Sequence, residues 1–377
     1  MDNIIKVAQE EKQPKTVILI LTHSCNLNCV YCYEHHKSNN KTIDVKKAKE
    51  IIEKEMTSDD DLDRDFEFLG GEPLLEFDKI VELHDFLCSR KWPKRWKSII
   101  TTNGTLLHGE IKDWVLQHQD TVRVSLSADG TPEMQNTNRS NSYDLIDYDF
   151  FVETNSVVKM TISAKTLPTL ADGVIYLHKL GFKVVTANLA FGIDWSNDDN
   201  ISIFASELQK LSDFYIKNPQ LRPADILSMQ IDMINPNFKD RKYITRHCGA
   251  GGDGLIAYEI DGTAYPCHTF APVSVDEETA KKALNLTFEY EVSMDKMDEK
   301  CRNCLVANVC PNCYGINFST TGNMYSKDDA FCRMTKVQFM ANAYFKYRQY
   351  EAGQLKLKPE EEYRLLNNIS LVQKLKI

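Results

Sequence analysis

The chain has 377 residues, of which 42% are hydrophobic and 26% charged, with a formal net charge of −9. Such a composition describes a globular protein with room for one large domain and one or two smaller ones. The acidic balance excludes nucleic-acid binding through bulk electrostatics, and no apolar run has the length of a membrane-spanning helix. The start, Met1-Asp2-Asn3-Ile4-Ile5-Lys6, lacks the apolar core of a signal peptide. Eleven cysteines in such a chain point to metal or redox chemistry in a reducing, anaerobic cytoplasm, not to disulfides.

Residues 1–15 are polar and charged, a surface extension by their composition. From Thr16 short β-rich runs alternate with amphipathic helical stretches, the pattern of βα units around a parallel sheet. Strands are predicted near Val17–Leu21, Asp65–Leu69, Ser98–Thr102, Val122–Ser127, Val158–Ser163 and Val184–Leu189. Helices are predicted over Val45–Met56, Ile80–Cys88, Glu110–His118 and Ala171–Leu180. The fold class is therefore α/β, a partial (β/α)6 TIM-like barrel over residues 16–195. In barrels of this kind the C-terminal strand ends carry the chemistry.

The first strand runs into Leu21-Thr22-His23-Ser24-Cys25-Asn26-Leu27-Asn28-Cys29-Val30-Tyr31-Cys32-Tyr33, where three cysteines stand at C-x3-C-x2-C spacing. Three thiolates hold three irons of a [4Fe–4S] cube and leave the fourth iron open, whereas electron transfer alone needs no open position. A zinc site closed by His23, His35 or His36 is the competing reading of these residues, with buried thiols a third. The spacing, with an aromatic before the last cysteine, resembles the radical S-adenosylmethionine (SAM) superfamily. The resemblance implies that the SAM amino and carboxylate groups chelate the open iron, and that an electron from the cluster cleaves SAM to a 5′-deoxyadenosyl radical.

Later strand ends extend the resemblance. Gly70-Gly71-Glu72-Pro73 follows the second strand and resembles the family's GGEP motif, whose backbone and glutamate contact the methionyl amino group. Thr101-Thr102-Asn103-Gly104-Thr105 and Ser125-Leu126-Ser127-Ala128-Asp129-Gly130 end the third and fourth strands, Ala128 standing where the family has a larger aliphatic residue. Arg139 lies where related enzymes place an arginine on the SAM carboxylate, a task suited to a guanidinium; a plain surface arginine is the alternative. Ser163 and Leu189, on the fifth and sixth strands, fall where the family surrounds ribose and adenine, or are inward-facing core positions. The implied SAM contacts are thus Gly70, Gly71, Glu72, Pro73, Asn103, Ser127, Arg139, Ser163 and Leu189. The run Lys91-Trp92-Pro93-Lys94-Arg95-Trp96-Lys97 interleaves cations with aromatics but reads better as a solvated loop.

Residues 196–246 form a connector with one helix, Ile203–Tyr215, and no catalytic motif. Seven cysteines follow in residues 247–334: Cys248, Cys267, Cys301, Cys304, Cys310, Cys313 and Cys332. Asp261-Gly262, between Cys248 and Cys267, is a hairpin signal. The arrangement resembles the SPASM extension of radical SAM peptide-modifying enzymes, except that two residues, not three, separate Cys310 from Cys313. Carried over, Cys248, Cys267 and Cys313 bind a first auxiliary [4Fe–4S] cluster, and Cys301, Cys304, Cys310 and Cys332 a second. One iron then lacks a cysteine, and either His247 or His268 closes it or it stays open to a substrate donor. Two zinc sites are the alternative for this field. Cys88, outside both patterns, is expected as a buried thiol. Residues 335–377 read as helical.

The resemblance implies a maturase of ribosomally made peptides with three [4Fe–4S] clusters (one SAM-binding, two auxiliary) and SAM as cofactors. Its partners would be a peptide or protein substrate and a reductant such as flavodoxin or ferredoxin, with no nucleic acid and no membrane. The product would be a thioether or carbon–carbon cross-link. An anaerobic sulfatase-maturing (formylglycine-generating) enzyme and a non-catalytic iron–sulfur electron-transfer protein are the alternatives. The residues identify no catalytic acid or base. The fifteen residues before the first strand are too few for a leader-binding winged helix, so a leader would need another surface or a separate protein.

Overall fold

Val17 to Leu21 are buried without a break, at most 2% exposed, the signature of a parallel strand covered on both faces. In the computed structural model, which describes residues 12–377 apart from 39, 247 and 253, this run is the centre of β1 (Lys15–Thr22). Alternation along the strand divides the molecule. Val17, Leu19 and Leu21 join the large core of the βα units, whereas Ile18 and Ile20 pack with Tyr265, Phe270 and Val292 from the C-terminal half.

The units follow in order: α1 (Val45–Met56), β2 (Arg64–Gly70), α2 (Phe77–Cys88), β3 (Trp96–Thr102), α3 (Gly109–Gln117), β4 (Val122–Ser127), α4 (Pro132–Asn138), α5 (Tyr148–Glu153), β5 (Val157–Ile162), α6 (Leu170–Leu180) and β6 (Val185–Leu189). Local chemistry sets the helix ends. Asp44 caps α1 by accepting from Lys47 N at 3.1 Å, Pro132 opens α4 behind its Thr131 cap, and Gly181 closes α6 at φ 111°.

After β6 come α7 (Asp199–Lys217), β7 (Tyr243–Thr245), β8 (Leu255–Tyr258), β9 (Ala264–Tyr265), α8 (Glu277–Ala283), β10 (Glu291–Ser293), α9 (Glu299–Arg302), α10 (Tyr314–Thr321), α11 (Asp329–Glu351) and α12 (Pro359–Val372). The main sheet has the order β6-β5-β4-β3-β2-β1-β8-β9. Strands β1 to β6 pair in parallel in chain order, an α/β half-barrel. The Asp261-Gly262 turn joins β8 and β9 as the expected hairpin, and β8 runs parallel to β1. The cysteine-rich half thus extends the sheet of the half-barrel, a join that nothing in the local sequence announced.

Two peripheral readings are also resolved. The basic run is a half-exposed loop tied down locally: Lys94 Nζ donates to Ser58 O at 2.8 Å, Trp92 Nε1 to Leu87 O at 2.8 Å, and the exposed Arg95 pairs with Asp63. Cys88, expected to be buried, is exposed. It is the last residue of α2, so no following turn covers it.

Candidate active site and cysteine groups

A cavity of about 520 Å³ opens at the C-terminal ends of β1 to β6 and is lined by Cys25, Cys29 and Cys32 together with Gly70, Gly71, Glu72, Asn103, Ser127, Arg139 and Leu189. Its size falls in the range of small-molecule sites, roughly 300–1,000 Å³. Two expected contacts lie elsewhere. Pro73 is buried behind the cavity at the head of a 3-10 turn, Pro73–Glu76. Ser163 is spent within the fold: its hydroxyl donates to Asn138 Oδ1 at 2.7 Å, and its carbonyl accepts from Leu167 N.

The two glycines let β2 leave the sheet directly against the cysteine loop. A Cβ on Gly70 would stand 2.3 Å from Thr22 O, and one on Gly71 2.2 Å from Ser24 O. The approach is held by Gly71 N on Thr22 O at 3.0 Å and Glu72 N on Ser24 O at 2.9 Å. Asn26, Asn103 and Thr105 tie the loop to the end of β3: Asn103 Nδ2 donates to Asn26 Oδ1 at 2.9 Å, and Asn26 Nδ2 to Thr105 Oγ1 at 2.8 Å. On the far side Val30 N reaches Asn138 O at 3.0 Å, and the Tyr31 hydroxyl donates to Asp129.

Glu72 is 1% exposed. Burial pushes its carboxyl up to about 7, opposed by donors from Asn103 N (2.8 Å), Thr102 Oγ1 (2.7 Å) and Leu74 N (3.1 Å). Asp129, fully buried, accepts from Thr161 N and Asn138 Nδ2, both at 3.0 Å. Its Oδ1 lies 3.1 Å from Arg139 Nε. Arg139 is 7% exposed and sits over the Tyr31 ring, so it is a buried cavity wall and not a surface residue. Burial raises the thiols of Cys25, to about 11, and of Cys29. Lys37 is within electrostatic reach of both, and Arg139 of Cys29.

The cavity adjoins a second of about 440 Å³ through Asn188, Leu189, Phe191 and Asp225, and Cys313 forms part of that second wall. Cys313 interacts with Cys248 and Cys267. Burial acts to raise the Cys267 thiol, but His268, with Nδ1 3.4 Å from the sulfur, and Thr269 hold it below the usual range. Cys301, Cys304, Cys310 and Cys332 line one cavity of about 30 Å³, and burial followed by the other three thiols pushes Cys301 up to about 12. Among the described residues no three His, Cys, Asp or Glu side chains converge as a single ion requires; a cube bridges thiolates that stand apart. His247 lies outside the described residues.

The signature of the Radical SAM superfamily matches residues 19–205. The chain is 30% identical over 224 residues to an uncharacterized protein of Methanocaldococcus jannaschii, covering 56% of this chain and 77% of that one. The chain belongs to the radical SAM superfamily. It is also 25% identical over 336 residues to the cysteine-type anaerobic sulfatase-maturating enzyme of Clostridium perfringens, covering 76% of this chain and 84% of the relative. A solved structure described as native anSMEcpe with bound AdoMet and Kp18Cys peptide superposes with a TM-score of 0.68 at 16% identity, covering 91% of this chain and all of that one.

As a radical SAM enzyme, the protein uses SAM and a [4Fe–4S] cluster. The residues present fit such groups. The cysteine loop lies beside a wall that only glycine permits, and near the distal cysteines Arg241 carries three buried nitrogens with no hydrogen-bond partner among the described residues. Sequence reading missed Glu34, Glu67, Lys159 and Asp225, and placed His268 only at the auxiliary group; all five, with Tyr33, line the three-cysteine cavity. For Glu67 and Lys159 a signal existed: charges inside predicted barrel strands. Asp225 lies in an irregular connector, where no periodicity marks it.

Proposed function

We propose that this radical SAM enzyme modifies a peptide or protein side chain, with a thioether or carbon–carbon cross-link as the product. The observation that carries the reading is the pair of adjoining cavities, one walled by the three-cysteine loop and the other reaching Cys313. A substrate segment in the outer cavity would present one residue at the inner one. The similar solved structure holds a peptide, which supports this class of substrate.

Cys25, Cys29 and Cys32 would hold the SAM-binding cluster, which together with SAM supplies a 5′-deoxyadenosyl radical. Glu72, hydrogen-bonded on both carboxylate oxygens, would take the SAM ammonium, and Arg139 its carboxylate. Asn103, Ser127 and Leu189 would complete the wall. Cys248, Cys267 and Cys313 would hold one auxiliary cluster and Cys301, Cys304, Cys310 and Cys332 another. His268, whose ring packs 5.4 Å from that of Tyr33, joins the first auxiliary group to the cysteine loop. An external low-potential carrier would supply the starting electron.

Formylglycine formation is the second reading, favoured by the similarity to the sulfatase-maturating enzyme. Anaerobic turnover of cysteine-containing peptides with SAM and dithionite, read by mass spectrometry, separates the two. Loss of two hydrogens with sulfur retained supports cross-linking. Loss of sulfur with a new hydrazine-reactive carbonyl supports formylglycine. Absence of 5′-deoxyadenosine from fully loaded enzyme would refute both.

A further inference from the structure

The four-cysteine group formed by Cys301, Cys304, Cys310 and Cys332 is set in positive charge. Arg241 is within electrostatic reach of Cys304, and its Nε, Nη1 and Nη2 are all buried without a hydrogen-bond partner among the described residues. Lys327, 5% exposed, brings Nζ to 3.3 Å from Cys310 Sγ and 2.7 Å from Pro311 O. Lys300 and Lys336 line the same small cavity, and with Lys327 they act on Cys332. Carboxylates offset only part of this charge: Asp329 and Asp298 both engage Lys300, while Arg241, Lys327 and Lys336 have no ion pair among the described residues. At the group of Cys248, Cys267 and Cys313 only two cations act among the described residues, Arg246 on Cys248 and His268 on Cys267, and Glu67 and Glu34 offset His268; the three-cysteine loop is closer to balance. Arg139 near Cys29 is matched by Asp129 at 3.1 Å, and Lys37 near Cys32 and Cys25 interacts with Glu34.

A guanidinium is costly to bury without an acceptor or a counter-charge. A [4Fe–4S] cube with four thiolates supplies the counter-charge, and reduction by one electron makes it more negative still. Nearby cations and N–H donors to sulfur therefore stabilise the reduced level more than the oxidised one and raise the reduction potential.

We propose that Arg241 and Lys327 are positioning residues that make the cluster on Cys301, Cys304, Cys310 and Cys332 the highest-potential centre of the chain. It is then where the electron taken from the substrate comes to rest. The inference rests on the cluster assignment under Proposed function. When a substrate radical closes a bond to a thiol, one proton and one electron are released; the proton would pass to solvent and the cluster held by these four cysteines would take up the electron, so atoms and charge balance.

The test is an anaerobic potentiometric titration followed by electron paramagnetic resonance on reconstituted full-length protein, with iron and sulfide measured in every sample. Wild type is compared with Cys304→Ala, Arg241→Gln, Arg241→Lys, Lys327→Gln and Lys327→Arg. The expected result is that the first centre reduced in wild type is the one lost in Cys304→Ala. Its midpoint falls in Arg241→Gln and Lys327→Gln, stays near wild type in the charge-retaining variants, and the remaining signals do not move. An unchanged midpoint in both glutamine variants with iron retained overturns the proposal, as does a first-reduced centre that survives Cys304→Ala. Wild-type and Cys304→Ala proteins with equal iron would instead refute the cluster assignment beneath it. Arg241 touches no sulfur ligand by hydrogen bond, so its variants keep the test open if Lys327 variants load poorly.

Discussion

His23 Nε2 lies 2.6 Å from Glu259 Oε1, across 236 residues of sequence. His23 precedes the cysteine loop and Glu259 follows β8, so the pair clamps the SAM-side loop to the hairpin that carries Cys267. Both side chains are about 95% buried, at 5% and 4% exposure. Removing His23 leaves Glu259 with only the Ile260 N donor among the described residues, at 2.8 Å, and loss of a buried hydrogen bond of this kind costs about 1–3 kcal/mol. His23→Ala is expected to lower stability by that order in denaturant titration and to lose iron from the SAM-binding cluster. The double variant His23→Leu/Glu259→Met should recover much of the stability. A single variant within about 0.5 kcal/mol of wild type would contradict the clamp, since that is the range of an ordinary surface substitution.

Gly71→Ala tests the approach of β2 to the cysteine loop. The added methyl would meet Ser24 O at 2.2 Å and Cys25 Cβ at 2.9 Å, and neither can swing away as a long side chain would. Overpacking of this kind costs about 1–3 kcal/mol. The variant should fold but retain less iron on reconstitution, with the deficit confined to the signal lost in a Cys25→Ala protein. Full iron content and unaltered SAM cleavage would show that the loop has room to yield.

As the proposed partner of the SAM ammonium, Glu72 is expected to make SAM binding pH-dependent. Burial raises its carboxyl from 4.5 to about 7. Between those values an unfolded chain is ionised while the folded one keeps its proton, so this group's contribution to stability falls as pH rises through the window. Binding an ammonium demands the carboxylate. SAM affinity should therefore rise with pH up to about 7 and then level, with a proton released on binding at pH 6. Calorimetry in two buffers of different ionisation heat measures that proton. Glu72→Gln should bind more weakly without releasing it, and equal release from both proteins would rule out Glu72 as the source.

Asp225 is the one charged side chain on the wall of the outer cavity among the described residues. Burial raises its carboxyl, and Arg222 offsets this in part. If it receives an N–H or a cationic group of the substrate, Asp225→Asn removes a charge-assisted hydrogen bond worth about 1.5–3 kcal/mol, roughly a ten- to hundredfold loss in kcat/KM for the peptide. SAM cleavage without peptide should be unchanged. Equal losses in both reactions would place Asp225 in the support of the SAM pocket instead.

The half-barrel and its chemistry were legible in the sequence because their signals are local. The β4 prediction, Val122–Ser127, and the α1 prediction, Val45–Met56, coincide with the observed bounds, since strand alternation and an Asp44 cap are written within a few residues. Cysteine spacing likewise placed Cys25, Cys29 and Cys32 on one loop. What only the tertiary structure decided are the relationships whose partners are far apart in the chain. The pairing of β8 with β1, the His23–Glu259 clamp, the convergence of Asp225 on the SAM cavity and the cations around Cys304 and Cys310 leave no periodic trace. Ser163 shows the same limit from the other side. Its place at the end of a strand pointed to the cavity, but a hydrogen bond to Asn138, 25 residues away, turned it to structural use. Backbone preferences act over one turn or one strand, whereas side-chain partners are chosen by packing once the strands have been brought together.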